Sequence, residues 1–156
     1  MIDIKRVLEV ALRLGLLVFV IELLVGLIYM SVLRSIGHPI WEGMAKGLPV
    51  TTLYTILVLI LTSMVAAAIA SLLFSLLVDH MPGRMNILKG MILYVALWTV
   101  YWIYRYLATD VVLYLGIPYE DIMEALGLVL AFVYGILLGY IWDRTEPSEA
   151  PPPPRF

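Results

Sequence analysis

Cysteine is absent from this 156-residue chain, so disulfides, thiolate metal sites and cysteine nucleophiles are all excluded. Glutamine is absent as well, and Asn86 is the single asparagine. Loss of thermolabile side chains is one mark of hyperthermophile proteins, although membrane helices are poor in amides for separate reasons. Charge is sparse: 14% of residues are Asp, Glu, Lys or Arg, where soluble domains carry about a quarter. With a formal net charge of −2, the chain has no basic footprint for nucleic acid. Its two histidines, His38 and His80, fall on opposite sides of the topology given below, so they do not share a metal. Neither lies within an apolar run, which excludes bis-histidine haem ligation by this chain alone. No glycine-rich phosphate loop, His-Glu-x-x-His pair or serine elbow occurs. The sequence reads as non-catalytic, with no metal and no cofactor.

What the chain has is apolar surface: 63% of residues are hydrophobic and the mean hydropathy is +1.00. A chain this small has too little interior to hide so much apolar area from water, so a bilayer must act as its solvent. The expected fold is an all-α integral membrane protein, a four-helix transmembrane bundle with a short amphipathic N-terminal extension and a disordered Pro-rich tail.

The first helix is expected over 4–33. At its start Ile4, Val7, Leu8, Ala11 and Leu12 recur at helical spacing, with Asp3, Arg6, Glu9 and Arg13 opposite, as in a stretch lying at a membrane surface. It runs on into Leu14–Leu33, twenty residues with one charge, Glu22, which matches one crossing. That run is too long for a cleaved signal peptide, and no small-x-small site follows Ile28, so it reads as a retained helix. Trp41, Met44 and Leu48 then suit a short interfacial turn. The second helix, 50–78, has no charge in 29 residues. At roughly 43 Å it exceeds a hydrocarbon core of about 30 Å, so it must tilt or project. Asp79-His80-Met81-Pro82-Gly83 ends it. A third helix covers 88–108, and Val111–Leu115 beyond it is too short to cross alone. The fourth, 118–142, opens on Pro118, with Glu120 and Asp121 at the positive end of its dipole. Residues 1–142 thus form one transmembrane domain. Residues 143–156, with Pro147 and Pro151–Pro154, read as a disordered cytoplasmic tail.

Orientation follows from Lys and Arg near the helix ends. Lys5, Arg6, Arg13, Arg84, Lys89, Arg144 and Arg155 share one side; Arg34, Lys46 and Arg105 share the other. Seven against three places both termini in the cytoplasm of a multi-pass cell-membrane protein. Asp110, Glu120, Asp121 and Glu124 make the opposite face acidic.

Four groups of residues are candidates for function. Glu22 lies near mid-membrane, where a charge costs a few kcal/mol. Gly15, Val18, Gly26 and Tyr29 share its face. That face suits contact with another helix, where the carboxyl is expected to be neutral and bonded to Ser63 or Thr62 of the second helix, or Tyr101 of the third. A structural carboxyl and a proton or cation carrier both fit. Gly127, Ala131, Gly135 and Gly139 form a small-xxx-small ridge, and Ser63, Ala67, Ser71 and Ser75 form a second. Packing of these two ridges on each other is the plain expectation; oligomerisation through one of them is the sharper one. Tyr94, Trp98, Tyr101 and Trp102 of the third helix either pack and form an interfacial belt or hold an isoprenoid or lipid headgroup. Arg105 is expected to pair with Glu124 near the outer ends of antiparallel helices.

A glutamate in the first helix and a glycine ridge in the fourth give a layout similar to that of small multidrug transporters. The likeness is one of layout, and no residue role is taken from it. The leading expectation is a subunit or scaffold, packing in the lipid bilayer against copies of itself or other membrane proteins. The alternatives are a small proton- or cation-coupled transporter or channel using Glu22, and a lipid- or quinone-binding accessory subunit of an electron-transfer complex.

Overall fold

The computed structural model describes residues 3–35, 37, 48–108 and 120–145, and the side chains of all these except 33, 48–53, 55, 105–108 and 120–124. Among the described residues there are four helices and no strand: α1 (Ile4–Ser35), α2 (Leu48–Leu77), α3 (Asn86–Ala108) and α4 (Glu120–Arg144). Each contains a stretch long and apolar enough to cross a membrane: Ile4–Val32, Ile56–Leu77, Asn86–Tyr104 and Ala125–Arg144, with mean hydropathies of 2.4, 2.7, 1.5 and 2.1.

The helix ends follow local chemistry. Asp3 caps α1, its Oδ1 accepting the Arg6 N–H at 3.1 Å and so satisfying one orphan donor of the first turn. Gly37, at φ +63°, stops α1 and donates its N–H to Arg34 O at 3.2 Å. After α2 the N–H groups of His80 and Met81 both reach Leu77 O, at 2.9 and 3.0 Å, and Gly83 at φ +111° completes the turn. Lys89 Nζ donates to Val78 O at 2.5 Å, a cation on the carbonyls that end α2.

Helix α4 runs two residues further than expected. Asp143 and Arg144 are helical, and Thr145 is buried, with its N–H 3.0 Å and its hydroxyl 2.8 Å from Ile141 O. Those residues therefore continue the helix instead of opening the tail; 146–156 lie outside the described residues. So do Trp41, Met44, Asp110, Val111–Leu115 and Pro118. Arg105, Glu120, Asp121 and Glu124 are helical, but their side chains, and with them the expected Arg105–Glu124 pair, are outside the described set.

The chain divides into two compact units, Ala11–Ile69 and Met1–Val10 together with Ala70–Phe156. In the longer unit α3 packs along α4, and Val10, Phe74 and Leu138 are fully buried. In the other, Leu14, Val18, Ser63 and Ala67 are buried. At the opening of α1 the apolar set divides between buried and exposed positions. Leu8 and Leu12 are exposed, whereas Val7, Val10, Ala11 and Leu14 are buried. The smaller or β-branched Val7, Val10 and Ala11 permit close approach, while Leu8 and Leu12 are left outside.

Candidate functional site

Glu22 marks the site. In the Ala11–Ile69 unit α1 and α2 approach closely at Gly15. A Cβ built there would lie 2.7 Å from Met64 Sδ and 3.4 Å from the Ala67 Cβ, so the missing side chain is what admits α2. Two turns along α1, half-buried Glu22 meets Ser63, which is only 2% exposed. Ser63 Oγ lies 3.1 Å from Glu22 Oε2 and 2.7 Å from Leu59 O. Of the three hydroxyls expected within reach, Ser63 makes the contact. Thr62 turns away, its Oγ1 donating within α2 to Val58 O at 2.9 Å, with Leu59 O 3.1 Å away on the same helix. Tyr101 is exposed. Gly26, one turn past Glu22, has nothing within 4 Å of the place a Cβ would occupy.

The ridge of α4 does not take α2 as its partner. A Cβ on Gly135 would lie 2.5 Å from Met91 Cα and 2.6 Å from Gly90 O, and one on Gly139 would run into the backbone of Asn86 and Ile87. Gly127 lies under Trp98, whose Nε1 is 3.1 Å from the Cβ position, and Ala131 is buried. The partner is α3, because Gly90 at its start lets the two backbones touch; a Cβ there would run into Gly135 O. The α2 ridge divides: Ser63 and Ala67 meet α1, Ser71 is fully buried with an unbonded hydroxyl, and Ser75 is half-buried.

The α3 aromatics divide as well. Tyr94 meets Tyr134 edge-on at 5.9 Å and Trp98 covers Gly127, whereas Tyr101 and Trp102 are exposed.

Sequence reasoning missed Gly90, Arg6 and the Asn86–Asp143 pair. Arg6 Nη2 donates to Trp142 O at 2.7 Å, and its guanidinium lies 4.3 Å from the Trp142 ring centroid. It thereby holds one of the last carbonyls of α4, which the helix itself leaves free. Trp142 in turn meets Phe74 edge-on at 5.2 Å. Asn86 Nδ2 donates to Asp143 Oδ1 at 2.6 Å. Gly90 was detectable as a lone glycine in the first turns of α3; Arg6 carried no signal beyond its charge.

What this architecture defines is a class: among the described residues, an all-helical chain with four helices of membrane-crossing length and composition. No family model matches the chain, and no curated protein or solved structure is significantly similar to it.

Proposed function

We propose that the chain is a non-catalytic multi-pass subunit of the cell membrane, both termini cytoplasmic, which docks another helix on the second half of α1. That helix comes from a second copy or from a larger complex. One observation carries this reading. Leu24, Leu27, Ile28 and Val32 are exposed, Gly26 beside them is open, and Leu27, Ile28, Ser31, Val32 and Ser35 line a shallow hollow of about 350 Å³. The hydroxyls of Ser31 and Ser35 donate to Leu27 O and Val32 O, both at 2.8 Å, so the hollow asks for no polar partner. The small ridges are otherwise engaged, since α4 uses its own on α3 and Ser63 and Ala67 of α2 meet α1. Open small positions are where membrane helices approach one another.

The other readings have less support. Tyr101 and Trp102 are exposed while Tyr94 and Trp98 pack on α4, so the α3 aromatics do not converge on one ligand. A carrier needs a polar path, and among the described residues Ser63 is the one side chain that bonds Glu22.

The absence of cysteine makes the test direct. Single cysteines at Gly26 and Ile28, and at the exposed α4 residue Ile136 as control, are oxidised in native membranes. The α1 positions are expected to give a discrete cross-linked species, homodimer or heteromer, and Ile136 none. Cross-linking no greater at α1 than at Ile136 overturns the reading.

A further inference from the structure

We propose that Glu22 and Ser63 form a proton-binding site, in which the Glu22 carboxyl takes up and releases one proton while the Ser63 hydroxyl turns between two acceptors. This stands on the contact between the two residues and is independent of the subunit reading. The contact poses a counting problem. A serine hydroxyl has one hydrogen. Ser63 Oγ has two oxygens within hydrogen-bond distance, Leu59 O at 2.7 Å and Glu22 Oε2 at 3.1 Å. It cannot donate to both at full strength.

A second proton resolves this. With the carboxyl protonated, Glu22 O–H donates to Ser63 Oγ, and Ser63 O–H donates to Leu59 O, so every hydrogen has an acceptor. When the carboxyl O–H bond breaks, the proton leaves to water and the Ser63 hydroxyl swings its hydrogen to the carboxylate. Leu59 O keeps its ordinary helical bond within α2, so neither state strands a buried polar atom. One proton is exchanged, and no other bond forms or breaks.

Among the described residues of the Ala11–Ile69 unit, the other charged side chains are far from this pair along the chain; His38, Glu42 and Lys46 lie outside the described residues. From Leu48 to Leu77, α2 has no ionisable side chain but Tyr54, which is exposed. On α1 the nearest charged residues are Arg13 and Arg34, nine and twelve positions away, and Tyr29 lies two turns along. The chemistry favours a proton over a metal cation. The site offers four oxygens, the two of the Glu22 carboxyl, Ser63 Oγ and Leu59 O, whereas Ca²⁺ or Mg²⁺ takes about six or more.

Dicyclohexylcarbodiimide, an apolar reagent that adds as a whole molecule to a protonated carboxyl in apolar surroundings, is the probe. The purified full chain in mild detergent is treated across a pH series, and the adduct is read by peptide mass. One adduct is expected on the peptide holding Glu22, and none in E22Q, whose amide keeps the Ser63 contact and whose melting curve stays close to that of the parent. The labelling rate should fall along a one-proton curve as pH rises. S63A should displace its midpoint by at least about half a pH unit, whereas T62A, lacking a hydroxyl that points elsewhere, should leave it in place. A folded chain that takes no label at Glu22, or takes it at a pH-independent rate, overturns the proposal. An unmoved midpoint in S63A removes Ser63 from the site, and protection by Na⁺ at fixed ionic strength assigns it to a metal cation.

Discussion

The α3–α4 pair and the α1–α2 pair solve one problem by different means. Where α3 meets α4, glycine faces backbone. Gly135 abuts Met91 Cα and Gly90 O, and Gly139 abuts Asn86 and Ile87, with no side chain between that can yield. Where α1 meets α2, glycine faces a side chain. Gly15 abuts the flexible thioether of Met64, and the next contact along is a single polar bond, Glu22 to Ser63. The first contact is rigid at its glycines, with the exposed Asn86–Asp143 bond at one end; the second is compliant and has a titratable group, half-buried Glu22, within it. A buried titratable contact must change its bonding as it changes protonation, and a methionine thioether accommodates such a change better than a main chain does.

The same substitution at three glycines grades this difference. Gly135→Ala should have the largest effect. Its Cβ would lie 2.5 Å from Met91 Cα, and since no rotamer change relieves a backbone clash, a loss of at least about 3 kcal/mol or failure to fold is expected. Thermal unfolding in detergent reads it, and a variant as stable as the parent would show that α3 and α4 slide freely. Gly15→Ala comes next. The nearest atom, Met64 Sδ at 2.7 Å, ends a flexible chain, but Met64 Cα at 3.2 Å is close as well. A cost of about 1 kcal/mol or less is expected, and Met64→Ala in the same chain should remove the clash. In the chain separated from any partner, Gly26→Ala should have the smallest effect and the opposite sign. Nothing lies within 4 Å, so the higher helix propensity of alanine is expected to raise the melting temperature, by up to about 0.5–1 kcal/mol of stability. A loss in native membranes would mean that the open position is filled there by another chain.

The helices were legible because their signal is local. Four uninterrupted apolar runs, punctuated by Gly37, Pro82 and Gly83, place each end that the structure describes within about two residues. The Glu22–Ser63 contact was legible too, since antiparallel helices consecutive in the chain bring residues of matching depth together. The partner of the α4 ridge was not. A stripe of small residues says that something comes close and not what comes close, and the four-residue stripe on α2 was the expected match. Gly90 prevails because one missing side chain at the point of closest approach suffices, and three further small residues add nothing there. Which members of the apolar set that opens α1 are covered was hidden for a related reason: hydropathy does not separate buried Val7 and Ala11 from exposed Leu8 and Leu12.

The bond from Arg6 to Trp142 joins residues 136 positions apart. On a ribosome adding about 5–20 residues per second, Arg6 is made roughly 7 to 27 seconds before the carbonyl it holds. Throughout synthesis the opening of α1 therefore lacks this bond to α4. It gains its partner only when the last helix is complete, so this contact closes the fold at the end of synthesis and not during it.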